Sequence, residues 1–263
     1  MAPMNNRLMV PRKTPGLLDL VPGAAAAYSL RSLSRSYAGP VVTVRRSSDN
    51  AEDSFTAAEV ADGTLAAFAG AGDAFVKTWH SQTGSNDASQ TTVGYQPKLV
   101  SSGVVVTEEG KPAIQFDKVD DYLEAATVAV AQPDTIVSVN TQDAAPSNVY
   151  DGITSRQALS PNATFERIFA GTSLTSAETI TVGQLRIYVS VFDGSSSALY
   201  RDGVRIASGN AGSNSLGGFR IGTFTPGVAP HGGTISEIVI YPSVFDSATR
   251  QLIEGSIAWS YSV

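Results

Sequence analysis

From Ala24 onward the chain consists of short β-type runs, each broken by Gly, Pro, Asn, Asp or Ser. Phe75-Val76-Lys77-Thr78-Trp79, Ala113-Ile114-Gln115-Phe116 and Thr135-Ile136-Val137-Ser138-Val139 alternate with period two. Leu185 to Phe192 repeats the pattern over a longer stretch, and its odd positions read as a core-facing row. Strict alternation buries one face of a strand and wets the other, which is the habit of antiparallel sheets. Asp202-Gly203 between two such runs predicts a two-residue type I′ hairpin, because both central residues need positive φ. Helix signals are few. Thr64 to Gly70 suits one or two turns, with Thr64 as cap and Gly70 as stop. Asp246 caps a final helix over 247–261, with Leu252, Ile253, Ile257 and Trp259 or Ala258 as its apolar face. Strands never alternate with helices of 10–15 residues, so a parallel α/β sheet is not expected. The expected fold is an all-β, antiparallel jelly-roll sandwich with a C-terminal helix.

Composition narrows the chemistry. The 263 residues include no cysteine, so disulfides, thiol nucleophiles and cysteine-ligated metals are excluded. His80 and His231 are the only histidines, too few for a multi-histidine centre. The net charge of −6 argues against nucleic acid as a partner. No apolar run is long enough for a membrane span. Charge is divided unevenly: residues 1–50 carry +5 and the remainder −11. Residues 1–23 hold Pro3, Pro11, Pro15 and Pro22, which forbid a continuous helix or sheet strand. They read as an extended docking arm, followed by one domain over 24–263. Arg7, Arg12 and Lys13 supply its charge, and Leu8, Met9, Val10, Leu17 and Leu18 its apolar anchors.

Several motifs carry a resemblance. Ala27-Tyr28-Ser29-Leu30-Arg31-Ser32-Leu33, Tyr37-Ala38-Gly39-Pro40 and Val44-Arg45-Arg46-Ser47-Ser48-Asp49-Asn50 resemble the opening of the arabinofuranosidase B catalytic-domain fold. Trp79-His80-Ser81-Gln82-Thr83-Gly84 with Asn86-Asp87-Ala88-Ser89-Gln90 is similar to that fold's Trp-Tyr-Asp-Gln-Ser-Gly block. Pro112 to Asp117, Asp120-Asp121-Tyr122-Leu123, Phe192 to Ser195, Leu199 to Val204 and Ile235 to Tyr241 resemble the concanavalin A-like (laminin G-like) jelly roll. The resemblance covers nearly everything after residue 24. It departs at His80-Ser81, where the family block carries Tyr-Asp. No match exists to the Cys-Cys-Phe-Asp-Tyr-Gly segment that leads to the arabinofuranosidases' catalytic glutamate. Standalone copies of this jelly roll with a basic, proline-rich arm resemble bacteriophage virion proteins. That version implies a non-enzymatic capsid decoration or appendage subunit. It would be located in the virion, docked to other virion proteins or to further copies of itself. A carbohydrate-binding adsorption module for a cell-surface glycan is the alternative, and a glycoside hydrolase of arabinofuranosidase type the second.

Candidate chemistry follows from those alternatives. Glycoside cleavage needs two facing carboxyls. Glu108, Glu109, Asp117, Asp120, Asp121, Glu124, Glu166, Glu178 and Glu237 are available, and sequence spacing does not pair them. No catalytic residue is assigned. Asp117, Asp120 and Asp121 form a tight acidic loop that offers oxygens to calcium, or caps a turn through backbone N–H groups. The turn role is expected, and no cofactor beyond a calcium option. Saccharide binding needs aromatic faces beside hydrogen-bonding groups. Tyr95, Tyr122, Tyr150, Phe224 and Trp79 are the candidates, Trp79 being expected in the core.

Overall fold

The computed structural model describes residues 14–261. Its first strands are β1 (Ala26–Ser29), β2 (Val42–Arg46), β3 (Glu52–Phe55), β4 (Ala74–Trp79), β5 (Ala88–Ser89), β6 (Lys98–Ser101) and β7 (Val104–Val105). Next come β8 (Thr107–Glu108), β9 (Lys111–Pro112), β10 (Ile114–Asp117), β11 (Leu123–Val130), β12 (Asp134–Asn140), β13 (Tyr150–Asp151) and β14 (Ala158–Leu159). The last are β15 (Phe165–Phe169), β16 (Ser173–Thr179), β17 (Arg186–Phe192), β18 (Ser197–Arg201), β19 (Val204–Gly209), β20 (Leu216–Ile221) and β21 (Gly232–Tyr241). Helices are α1 (Leu17–Leu20), α2 (Ala57–Ala61), α3 (Thr64–Ala69) and α4 (Ser247–Tyr261). None is long and apolar enough to cross a membrane.

All strand pairings are antiparallel, as alternation predicts, and the sheet forks at β4. One edge of β4 pairs β2, which pairs β3. The other edge pairs β5 through Thr78 and β6 through Phe75. From β5 the first branch continues through β11, β20, β13, β14, β15 and β16. From β6 the second continues through β10, β21, β12, β17, β18 and β19. Splaying two branches from one strand makes the sandwich. Its main core lies between them and includes Tyr28, Trp79, Leu123, Ile136, Tyr188, Phe219, Ile221, Ile235 and Ile238.

A third layer covers the second branch. Val137, Val139, Ile187, Val189, Val239 and Tyr241 point away from the main core and meet Ile253, Ile257 and Tyr261 of α4 and Leu17 of α1. The odd positions of Leu185 to Phe192 face a core as expected, but the even positions face a second core where a wet face is expected. The odd positions Ile187, Val189 and Val191 lie in the helix layer, and the even positions Tyr188 and Phe192 lie between the sheets. The centre of the branch is a middle layer, so β12, β17 and β21 have no wet face; β21 is buried at all ten positions.

The hairpin forms as predicted, with Asp202 and Gly203 at φ 51° and 81°. Asp246 caps α4 by accepting from the Thr249 N–H at 2.8 Å. The apolar face of α4 is narrower than expected: Leu252 is 45% and Trp259 77% exposed. Helix α2 has no counterpart in the sequence reading. It begins with a capping box in which Thr56 and Glu59 bond each other's backbone N–H. Gly63, not Thr64, is the cap of α3.

Of the proposed docking residues, Arg7, Leu8, Met9, Val10, Arg12 and Lys13 lie outside the described residues. The others are built into the fold. Leu17 is fully buried against the α4 layer, and the Leu18 N–H donates to Leu33 O at 2.9 Å. Residues 17–20 are therefore helical where an extended arm is expected. Leu17 spends its side chain on this chain's own core and offers none to a partner.

Candidate functional site

The outer face of β3, β2, β4 and the first branch is partly exposed, and its registers align a polar row that ends on the buried Asp151. Ser54 of β3 pairs Thr43 of β2, Thr43 pairs Thr78 of β4, and Thr78 pairs Ser89 of β5. Ser89 pairs Glu124 of β11, Glu124 pairs Arg220 of β20, and Arg220 pairs Asp151 of β13. Directly paired residues share a face. One position along each strand, Val42, Trp79, Ala88, Leu123, Ile221 and Tyr150 are buried in the core. The alternation that builds the sandwich thus also projects this row.

At one end the row is charged and aromatic. Arg220 Nη2 lies 2.6 Å from Glu124 Oε1. Its guanidinium carbon is 6.0 Å from the Tyr122 ring centroid. Tyr122 and Tyr95 have centroids 5.7 Å apart, and both are partly exposed. Arg156 pairs with Asp151 at 2.6 Å and is held between two rings, 3.9 Å from the Phe224 centroid and 4.7 Å from that of Phe169. These pairs hold planar donors, carboxylate acceptors and ring faces in fixed positions with little left to order on binding. At the other end His80 Nδ1 lies 2.7 Å from Asp87 Oδ2, and its Nε2 lies 2.8 Å from Thr43 Oγ1. Thr43 Oγ1 in turn lies 2.8 Å from Ser54 Oγ. Sequence reading finds no partner for His80, because Thr43 and Asp87 reach it only through strand pairing.

Where β5 and β6 diverge, the fork encloses a cavity of about 520 Å³. Arg45, Phe75, Gln96, Lys98, Asp117 and Asp121 line it. Asp117, Asp120 and Asp121 bring oxygens within 4.8 Å of one another. Much of their capacity is spent on the turn. Asp117 Oδ1 accepts from the N–H groups of Val119 and Asp120, and Asp121 Oδ2 from that of Asp117. Burial, followed by the neighbouring Asp117 charge, pushes the Asp121 carboxyl up to about 7.

The other candidates scatter. Glu237 is buried beneath α4 and bonded bidentately by Arg31 at 2.8 and 2.9 Å. Glu166 accepts from the Tyr188 hydroxyl at 2.6 Å inside the sandwich. Trp79 and Tyr150 are core residues; Tyr95, Tyr122 and Phe224 gather at the charged end of the row. His231 is fully buried with Nδ1 2.7 Å from Ser147 Oγ, and desolvation lowers its pKa to about 4.

No family model and no curated protein matches this chain. Solved structures do. A GH54 α-L-arabinofuranosidase soaked with a cyclic sulfate inhibitor aligns at 15% identity and a TM-score of 0.67, covering 89% of this chain and 62% of the enzyme. An arabinofuranosidase complexed with arabinofuranosyl-α-1,2-xylobiose aligns at 15% identity and a TM-score of 0.66, with the same coverage. The chain thus spans less than two thirds of the length of these enzymes, and at such identity the likeness is one of fold. It corrects the expectation of a phage virion subunit: these structures, whose fold the chain shares, are arabinofuranosidases and not virion proteins.

Proposed function

We propose that this protein is a carbohydrate-binding jelly-roll domain that holds an oligosaccharide along the outer face of the first branch. One observation carries the reading: the polar row from Ser54 to Asp151 ends among the partly exposed rings of Tyr95, Tyr122 and Phe224. A saccharide presents apolar C–H faces that stack on rings, and hydroxyls that both donate and accept. Glu124 and Ser89 accept, and Arg220, Thr78 and Ser89 donate, at successive strand spacings of about 4.8 Å. That repeat is close to the spacing of linked sugar units. The ligand of the similar arabinofuranosidase, arabinofuranosyl-α-1,2-xylobiose, makes arabinoxylan fragments the first panel to test. A glycan array followed by calorimetry on Tyr122→Ala and Arg220→Gln tests the reading. Each variant is expected to bind at least tenfold more weakly at a temperature where it remains folded.

One observation favours a hydrolytic reading beside it. Asp121, raised to about 7, lines the fork cavity with an Asp117 oxygen within 4.8 Å. A carboxyl that keeps its proton near neutrality beside a second carboxyl is the pairing that glycoside cleavage uses. Release of nitrophenol from 4-nitrophenyl α-L-arabinofuranoside, abolished in Asp121→Asn, is its signature. A wild-type rate equal to the uncatalysed rate removes it and leaves the binding reading in place.

A further inference from the structure

At the end of the row away from the rings, four side chains form one hydrogen-bonded chain. Ser54 Oγ lies 2.8 Å from Thr43 Oγ1, Thr43 Oγ1 2.8 Å from His80 Nε2, and His80 Nδ1 2.7 Å from Asp87 Oδ2. The fold fixes each member. Thr43 and Ser54 are register partners on β2 and β3, and Thr78 of β4 is the partner of Thr43 on its other side. The His80 N–H donates to Val41 O at 2.9 Å, which holds the residue after β4 against β2. Asp87 Oδ1 accepts from the Ser81 N–H at 2.9 Å, so both of its oxygens are held. A carboxylate only accepts, so the neutral ring keeps its hydrogen on Nδ1 and leaves Nε2 to accept from the Thr43 hydroxyl. Thr43 Oγ1 in turn accepts from Ser54. The chain faces solvent: Ser54 is exposed, Thr43 is half-buried, and the His80 and Asp87 side chains are 19% and 44% exposed.

We infer that Thr43, His80 and Asp87 act as nucleophile, base and orienting carboxylate in the cleavage of a carboxylic ester. Hydroxyl, imidazole and carboxylate within hydrogen-bond reach in that order are the arrangement that activates an alcohol. Thr43 Oγ1 attacks the ester carbonyl carbon, and its proton passes to His80 Nε2. The C–O bond to the alcohol breaks, His80 returns the proton to the departing oxygen, and an acyl ester remains on Thr43. Water attacks that ester and gives its proton to His80, and the carboxylic acid leaves as Thr43 Oγ1 regains the proton. Asp87 holds the ring in the required tautomer and offsets the charge it gains. The hydroxyls of Ser54 and Thr78 flank Thr43 and supply donors for the oxyanion. The other histidine gives the contrast. His231 also meets a hydroxyl, Ser147 Oγ at 2.7 Å, but its second nitrogen has no partner and the pair is buried where no ester reaches.

The full chain is assayed with 4-nitrophenyl acetate, and a fluorophosphonate that traps activated hydroxyls is mapped by peptide mass. Cleavage above the buffer rate is expected, with the phosphonyl group on Thr43. Thr43→Val keeps the β-branched shape of the strand residue and removes the nucleophile. His80→Gln removes the base, and Asp87→Asn presents an amide donor to Nδ1 and so reverses the tautomer. Each is expected to lower the rate about 10²-fold or more, while Thr43→Ser retains it. All are compared at a temperature where circular dichroism shows them folded. Cleavage by wild type no faster than in buffer overturns the inference. So does a rate lost in His80→Gln but kept in Thr43→Val, which makes His80 a lone surface nucleophile. A label on any residue other than Thr43 also overturns it. The ester probe carries no sugar, so ester cleavage without any response to oligosaccharides counts against the binding reading alone and leaves this one standing.

Discussion

The two branches of the forked sheet leave the same strand, and their outward faces have opposite fates. On the second, the outward residues are Val137, Val139, Ile187, Val189 and Val239, and α4 with α1 covers them. On the first, with the adjoining β3, β2 and β4, they are Ser54, Thr43, Thr78, Ser89, Glu124 and Arg220, and all of these are partly or fully exposed. Both branches alternate with period two; what differs is the residue class at the outward positions. Apolar outward residues recruit a third layer, because covering each one gains about 1.5–3 kcal/mol. Polar outward residues leave a flat, preorganised face on which a ligand can take the place of water.

The largest expected effect breaks the covered face. Ile257→Ala empties a fully buried contact between α4 and the sheet and is expected to cost about 2–5 kcal/mol, read from the urea midpoint. Thr78→Ala, on the open face, is expected to stay within about 0.5 kcal/mol. A midpoint for Ile257→Ala equal to wild type would place α4 outside the folded core.

The next effect concerns the seam between the branches. Asp134 of β12 is fully buried, and its Oδ1 accepts from Gln157 Nε2 at 2.8 Å. Desolvation raises its carboxyl to about 7, against 3.8 for the free side chain. Between these values the folded state holds a proton that the unfolded state has released. The stability that Asp134 contributes is therefore full below about pH 4, falls as pH rises to about 7, and is flat above. Asp134→Asn removes that dependence and is expected to gain on the order of 2–4 kcal/mol at pH 8 and little at pH 4. His231 acts with the opposite sign. It is buried neutral, so its share is full above 6.5 and is lost as pH falls toward about 4. Urea titrations of wild type and Asp134→Asn between pH 4 and 8 separate the two. Equal slopes with pH would show that Asp134 is hydrated in the folded protein.

A smaller effect tests the edge of the covered branch. Gly203→Val forces a β-branched residue to φ near 81° and is expected to cost at least about 1 kcal/mol. A neutral result by thermal melting would mean that the turn can relax to another type.

These comparisons also mark how far the sequence could be read. Asp202-Gly203 and the Asp246-capped helix are legible because their causes lie within a few residues. The capping box of α2 is equally local, and Thr56-Ala57-Ala58-Glu59 carries its signature; a run of small residues between β-segments hides it. The sandwich follows from alternation, but the fork at β4 does not, since Phe75 and Thr78 choose different partners on one edge. The candidate face is the least legible part. Arg220 and Glu124 are 96 positions apart, and neither is unusual in its local setting. Only register brings them side by side, and with them Tyr122 and the Asp151–Arg156 pair. Leu17 shows the converse. Its neighbours suggest an exposed anchor, while α4, at the far end of the sequence, buries it.

Arg220→Gln gives the sharpest expected change in function. Its side chain is only 11% exposed, paired with Glu124 and bonded to Phe224 O, so its loss is also expected to lower the melting temperature, and binding is compared where the variant stays folded. The most direct measurement is an amide ¹H–¹⁵N titration of the full chain with arabinoxylan oligosaccharides. Binding along the open face predicts saturable shifts at residues 43, 78, 89, 124 and 220 and around Tyr95 and Tyr122, with the largest of them lost in Arg220→Gln. Saturable shifts confined to other surfaces, or none at millimolar sugar, would contradict the assignment of the open face as the saccharide site.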